Sequence, residues 1–372
     1  MRSFTSEAVW ALRMRSQRLT PETTVESVPA VATALGGIQA QEKPAATLAV
    51  RPRTTGTAAD DVDLSLHEDR TTVRTWCMRG TLHLVASTDL PWLLPLFGPH
   101  FAPRGPEPKQ LAEMGFDDEE LERTMAVVER VLATSGPLTR DELAVRLREA
   151  AVDVDPASRA PNVLVRQAAL RGILCEVAPK GGDNAYGLLD EWVDVAEPPA
   201  REVALSTLAR RYLAAYQPAS LDDFAYWSGL PKRDVRAAWE SVADETTTVA
   251  VDGTEMCMLA DDVPTEAPTP TDSVVRLLPG YDTYLLGYSV ANRPVPATSR
   301  SQVWPGAGVI RPTVVVDGAV VGTWRLERTG TPQVQVVPFE SLADDVRRGI
   351  EAEVVDLGQF LELDPTLHVE TA

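Results

Sequence analysis

Cysteine and histidine are both scarce in this chain. Its only cysteines, Cys77, Cys175 and Cys257, stand singly in 372 residues, which leaves no CxxC pair for zinc and no disulfide framework. The four histidines, His67, His83, His100 and His368, lack a metal-ligand spacing such as HExxH. Neither a metal nor a cofactor is expected. A long apolar run is missing too: Arg13, Arg15 and Arg18 interrupt any candidate segment in the first twenty residues, so neither a signal-peptide core nor a membrane span is read there. A cytoplasmic protein with no membrane partner is expected.

Positive charge is also in short supply. The chain carries 35 Lys and Arg against 54 Asp and Glu, a net charge of −19, which at face value argues against a polyanionic partner. The deficit is uneven, however. Residues 1–110 have a net charge of +1 and the rest −20, so any nucleic-acid surface must be a local arginine patch, with Arg51, Arg53, Arg74 and Arg79 the early candidates.

What is present is an ordinary globular composition, 44% hydrophobic and 24% charged, at a length sufficient for two or three domains. Within it, one plan recurs: helices followed by a two-stranded hairpin. EVALSTLARRYLAAYQ has helical periodicity, Ser220 can cap LDDFAYWS, and KRDVRAAWES follows a GLP turn. TTTVAVDGTEMCML then reads as two strands about Asp252-Gly253. Upstream, EELERTMAVVERVLAT, a capping box from Thr139 to Glu142, and NVLVRQAALRG precede the strands ILCEV and AYGLL. The first segment is less regular. It has helices near 5–18, 24–35 and 60–67, a short one across PAATLAV, and a hairpin TTVRTWCM–RG–TLHLVAS. The fold class expected is α+β, with three tandem winged-helix units at 1–110, 111–198 and 199–263. A C-terminal β-rich region, 264–372, contributes VVRLLPGYDTYLLGY and PTVVVDGAVVGTWRLER. The best linker candidate is PTEAPTPTD, 264–272, and the Pro/Gly/Arg-rich stretch near 289–311 reads as a long loop.

Winged helices commonly read DNA with their third helix. In the first segment that helix carries Asp60, Asp61, Asp63, Glu68 and Asp69, which phosphates would repel. Lys232, Arg233 and Arg236 in the third segment could touch DNA or form a solvated face. These units therefore read as scaffold more than as groove readers.

The motifs are more specific. Gly36-Gly37-Ile38-Gln39-Ala40-Gln41, Met78-Arg79-Gly80-Thr81-Leu82-His83-Leu84, the run Leu278 to Tyr288, and Arg311-Pro312-Thr313-Val314 occur in an order and spacing that resembles the bacterial winged-helix DNA glycosylases of the AlkZ type, across most of the chain. The resemblance implies three tandem winged helices in a C shape with a concave DNA surface. It also implies a glutamine–apolar–glutamine catalytic motif at Gln39 and Gln41, with Ala40 between them and the second Gln where other branches carry Asp. It implies excision of bulky N7-alkylated purines and unhooking of crosslinks, in self-resistance to DNA-alkylating antibiotics. The partner implied is double-stranded DNA carrying such lesions, in the nucleoid. A tandem array needs no second copy to double its DNA contacts, so a monomer is expected.

Chemistry is compatible with that reading. An N7-alkylguanine is already cationic and leaves without an acid, through a transition state resembling an oxocarbenium ion. The remaining task is to place a water and to present carbonyl dipoles to positive charge, which an amide oxygen can do. Residues i and i+2 share a side only on an extended segment, so both glutamines can serve one site only if 38–41 is extended or in a turn. Otherwise they are surface amides at a helix boundary. The DNA contacts expected are Arg51, Arg53, Arg79, His83, Arg293, Arg300 and Arg311. As a lone histidine, His83 is more often a hydrogen-bonded structural residue than a catalyst; Trp76 and Met78 read as core, and Asp282 as structural first. Lys43 is the only lysine near the motif, so no Schiff-base lyase step is expected. A non-catalytic winged-helix regulator and a drug-sequestering protein are the competing readings.

Overall fold

The computed structural model describes residues 2–371 except 106, 195 and 267–272. Most of the expected linker therefore lies outside the described residues. The chain forms two compact units, Met1–Val62 with Leu205–Ala372, and Asp63–Ala204. Helices mix with mainly antiparallel sheets, an α+β fold. The two units cut the chain differently from the four regions expected, since the first region is divided after Val62.

In the second unit the expected order is present. Helices Asp118–Ser135, Arg140–Glu149 and Ala160–Leu170 precede strands Leu174–Lys180 and Asp183–Leu188. Asp117 caps the first helix through the Glu120 N–H at 2.9 Å, and Thr139 with Glu142 closes the capping box on the second. Their apolar faces meet in one core that includes Val128, Leu132, Leu143, Leu147, Leu164 and Ala168. A short strand, Leu138–Thr139, adds a third member to the hairpin. Two helices here escape sequence reading. Leu90–Phe101 is helical despite Pro95 and Pro99 inside it, and Glu107–Glu113 follows. Interior prolines remove hydrogen bonds and normally end a helix, but Leu93, Leu96 and Phe97 are buried and packing holds this one.

The other unit repeats the order with Arg201–Tyr216, Leu221–Ser228, Lys232–Glu240 and the strands Thr246–Val251 and Thr254–Leu259. Asp252 at φ 45° and Gly253 at φ 84° make the expected turn. Its third strand comes from the chain start, Arg2–Phe4, paired in parallel with Val249–Val251.

The C-terminal region is less purely β than expected. Its five-stranded sheet runs, in spatial order, Val275–Leu278, Thr313–Val316, Ala319–Glu327, Gln333–Pro338 and Thr366–Val369. An 18-residue helix, Asp344–Leu361, covers one face, packing Ile350, Val354 and Leu357 against Val275, Leu277 and Val336. The apolar run after Leu278 also differs from the strand expected. Tyr281 at φ 61° breaks it, and Asp282 caps a helical turn, Thr283–Leu286, by accepting from the Tyr284 N–H at 2.8 Å. The stretch 289–311 is not featureless, with short turns at Val290–Asn292 and Ala297–Ser299 and a helical turn at Arg300–Val303.

Candidate active site

The glutamine pair lies where one short helix ends and another begins. Helix Val28–Leu35 terminates in left-handed backbone at Gly36, φ 68°, followed by Gly37 at φ 117°. Such angles suit glycine, and the Gly37 N–H closes the end by donating to the Ala32 carbonyl at 2.9 Å. Two further carbonyls of that last turn are held by the helix Arg201–Tyr216. Arg211 donates to the Thr33 carbonyl at 2.8 Å and the Tyr216 hydroxyl to that of Leu35 at 3.0 Å. A Cβ on Gly36 would lie 3.4 Å from the Trp227 ring. The chain is thus fixed in direction before it reaches the motif.

Ile38–Gln39 is a two-residue strand, Gln41 a bend, and helix Lys43–Val50 follows. The extended backbone puts both amides on one side, and the Gln39 Nε2 donates to the Gln41 Oε1 at 3.0 Å. Ile38 and Ala40, facing the other way, are each 1% exposed. Gln39 itself is 7% exposed, whereas Gln41 is open to solvent. Alternation of apolar and amide residues therefore separates a buried apolar face from one that carries the two amides.

The arginines expected to meet DNA divide into two classes. Arg51 and Arg53 must be corrected: both are buried in ion pairs and turned away from solvent. Arg53, at 0% exposure, reaches both Asp282 oxygens at 2.7 and 2.9 Å and donates to the carbonyls of Gln17 at 3.0 Å and Ala49 at 2.7 Å. Its fork is saturated, leaving nothing for a phosphate. Arg51 pairs with Glu353 at 2.7 Å and with Asp356. Burial opposes its charge, but those two carboxylates outweigh the burial and raise its pKa above the usual value. Asp282 is structural, as its context suggested. Arg74 is likewise buried against Glu176.

His83 also departs from the expected role. It is 2% exposed, its Nδ1 sits 2.9 Å from the Thr81 carbonyl, and burial together with the Arg79 charge lowers its pKa to about 3. The imidazole is therefore neutral and packed inward. Arg79 is half-buried at φ 55°, and the space left by the missing Cβ of Gly80 is occupied by Phe101 and Arg166. Arg311 is exposed, and Arg293 and Arg300 are half-buried. Sequence reading missed the side chains that hold the motif, Arg211, Tyr216 and Trp227. It also missed Tyr226 and Trp304, whose rings flank Arg293 at 5.1 and 4.6 Å from centroid to guanidinium. No linear pattern links residues so far apart.

Among the described residues, no group of three or more His, Cys, Asp or Glu is arranged to hold a metal, and no helix is long and apolar enough to cross a membrane. Known proteins resemble this chain over nearly its whole length. A sequence model of the DNA glycosylase AlkZ-like family matches residues 32–360. An interstrand DNA cross-link repair glycosylase from Streptomyces sahachiroi is 31% identical over 371 residues, covering 94% of this chain and 95% of the relative. The solved structure of Streptomyces sahachiroi DNA glycosylase AlkZ matches with a TM-score of 0.85 at 28% identity, covering 100% of both chains. Agreement in sequence and in fold, through the segment that presents the paired amides, places this chain in the AlkZ-like family of DNA glycosylases.

Proposed function

We propose that this glycosylase hydrolyses the N-glycosidic bond of bulky, cationic N7-alkylpurines in double-stranded DNA, unhooks interstrand crosslinks, and protects a cell against a DNA-alkylating antibiotic. The observation that carries the reading is the Gln39–Gln41 amide pair, joined at 3.0 Å on an extended segment. A cationic base departs with its electron pair and becomes neutral, so no acid need protonate it. The sugar develops oxocarbenium character, which amide carbonyl dipoles stabilise, and a water held by those carbonyls closes the bond at the anomeric carbon. Carboxamides are weak bases and forgo the roughly 10²- to 10⁴-fold that a strong general base contributes. The activated leaving group makes that loss tolerable.

The hydrogen bond divides the labour. Gln39, the more buried amide, acts as a positioning residue by directing the Gln41 carboxamide. Gln41, at the surface, meets the sugar and the water. In support of a scaffold role for the rest, we read the two helix–helix–helix–hairpin regions and the first segment as tandem winged helices, and the protein as a cytoplasmic monomer associated with the nucleoid.

The test is a panel of oligonucleotide duplexes, each with one lesion, scored for abasic sites under single-turnover conditions. N7-alkylguanine and N3- or N7-alkyladenine should be released; uracil, 8-oxoguanine and N6-alkyladenine should not, since their departure needs proton donation or strong anion stabilisation. Efficient uracil excision would mean that a stronger catalyst than two amides is present.

A further inference from the structure

Residues 283–316 contain three arginines and no Asp or Glu, in a chain with 54 acidic residues. Within it, the Ser289 N–H and the Asn292 side chain each donate to Asp223 of helix Leu221–Ser228 at 2.8 Å. Arg293 stacks there between the Tyr226 and Trp304 rings, and its Nη2 donates to the Tyr226 hydroxyl at 2.6 Å. Tyr226 is 39% exposed and Trp304 is half-buried, so ring surface remains open. Val290 and Val309, at 53% and 41% exposure, are two further large apolar side chains that this segment leaves in solvent. Arg311 is exposed, and the Arg300 Nε is buried with no hydrogen-bond partner among the described residues.

Partly exposed aromatic rings and planar arginines, on a segment that itself carries no carboxylate, are features that hold an unpaired DNA strand, with bases stacking on rings and phosphates meeting cations; the one carboxylate this segment touches, Asp223, is buried and taken up by the Ser289 N–H and the Asn292 amide at 2.8 Å each. A membrane or an acidic peptide would be drawn by the charge, but neither calls for stacked planar groups. The position is also suited to a DNA substrate. Trp227, next to Tyr226 on the same helix, lies against Gly36 at the turn that presents the glutamines. One helix therefore carries Tyr226 of the platform and, through the neighbouring Trp227, packs against the turn that precedes the amide pair.

We propose that Tyr226, Arg293 and Trp304 form a platform on which an unstacked nucleobase of the DNA substrate rests, with Arg300 and Arg311 meeting the flanking phosphates. The proposal rests on the glycosylase reading. It goes further in assigning Tyr226 and Trp304 a contact with a base, and in separating a stacking contribution from an ionic one.

The experiment measures binding of the full chain to an unmodified single-stranded oligonucleotide containing 2-aminopurine, by anisotropy and by quenching of the probe. Trp304→Ala and Tyr226→Ala should each weaken binding by about 5- to 150-fold, the range for one stacked base, relieve the quenching, and leave the salt slope unchanged. Trp304→Phe and Tyr226→Phe should bind within a few-fold of wild type. Arg311→Ala should instead reduce the log–log salt slope by about 0.7. Thermal melting checks each fold; should Trp304→Ala fail to fold, the more exposed Tyr226→Ala decides. Wild-type affinity and quenching in a folded Tyr226→Ala would overturn the platform. The glycosylase reading fails separately, if the wild-type protein releases no alkylated purine from duplex DNA.

Discussion

The helix Lys43–Val50 has polar side chains at both ends, and they are treated oppositely. Before its first turn stand two neutral amides that bond to one another, with Gln41 open to solvent. After its last turn stand Arg51 and Arg53, 4% and 0% exposed and locked to Glu353, Asp356 and Asp282. A charge can be buried only with partners that replace its hydration, and once so paired it is unavailable to a ligand. A neutral amide carries no such requirement and can stay partly uncovered. Two residue pairs twelve positions apart thus separate, by the cost of desolvation, into a candidate-site end that reaches solvent and a support end that does not.

The largest effect expected is on the support end. Arg53→Ala leaves Asp282 buried and unpaired and should cost about 3–5 kcal/mol in urea unfolding. Asp282→Ala should cost a similar amount, and the double substitution less than the sum, since the two act as a pair. A loss below about 1 kcal/mol, the usual scale of a surface ion pair, would collapse the contrast between the two ends.

Next in size is the asymmetry within the site end. Gln39→Glu replaces the donor that faces the Gln41 carbonyl with an acceptor, and should lower single-turnover base release well over tenfold, about 1.4 kcal/mol or more. Gln41→Asp retains an acceptor for Gln39 and for water and should keep activity. Equal losses in both would refute the division of roles.

A smaller effect belongs to His83. Its folded pKa of about 3 lies below the ordinary 6.5, so the unfolded chain binds more protons between those values. Stability is full above about pH 6.5 and declines as pH falls toward 3, with a slope up to about 1.4 kcal/mol per pH unit from this group. His83→Asn should flatten that slope, as chemical denaturation at stepped pH would reveal. The same burial keeps the imidazole neutral across the working range, so base release from a cationic lesion should not follow a histidine titration. The smallest effect is that of Arg311→Ala, which on duplex DNA should remove about 0.9 from the log–log salt slope if it contacts one phosphate.

Much of this was legible in sequence wherever local rules decide. Thr139 with Glu142, Ser220, and the Asp252-Gly253 turn each carry their instruction within a few residues, and each element forms as read. Asp344–Leu361 was missed although Val346, Ile350, Val354, Leu357 and Leu361 have helical spacing, because Ala343 offers no capping side chain to mark its start. The helix Leu90–Phe101 was hidden by its interior prolines. The amide pair was legible as a motif, since Gly36-Gly37 announces the turn and Gln-Ala-Gln the alternation. The fate of the arginines was not. Whether Arg53 faces a phosphate or Asp282 depends on a residue 229 positions away, and nothing near Arg53 reports it. Tyr226, Arg293 and Trp304 meet for the same non-local reason.

The most direct test of paired-amide catalysis is a single-turnover measurement of N7-methylguanine release by wild type and by the Gln39→Ala/Gln41→Ala double variant, with DNA affinity measured in parallel. The account predicts that release by the double variant falls well over tenfold while affinity stays within a few-fold, since the lost interactions belong to the transition state and not to uniform binding. Wild-type-like release by a folded double variant would contradict it.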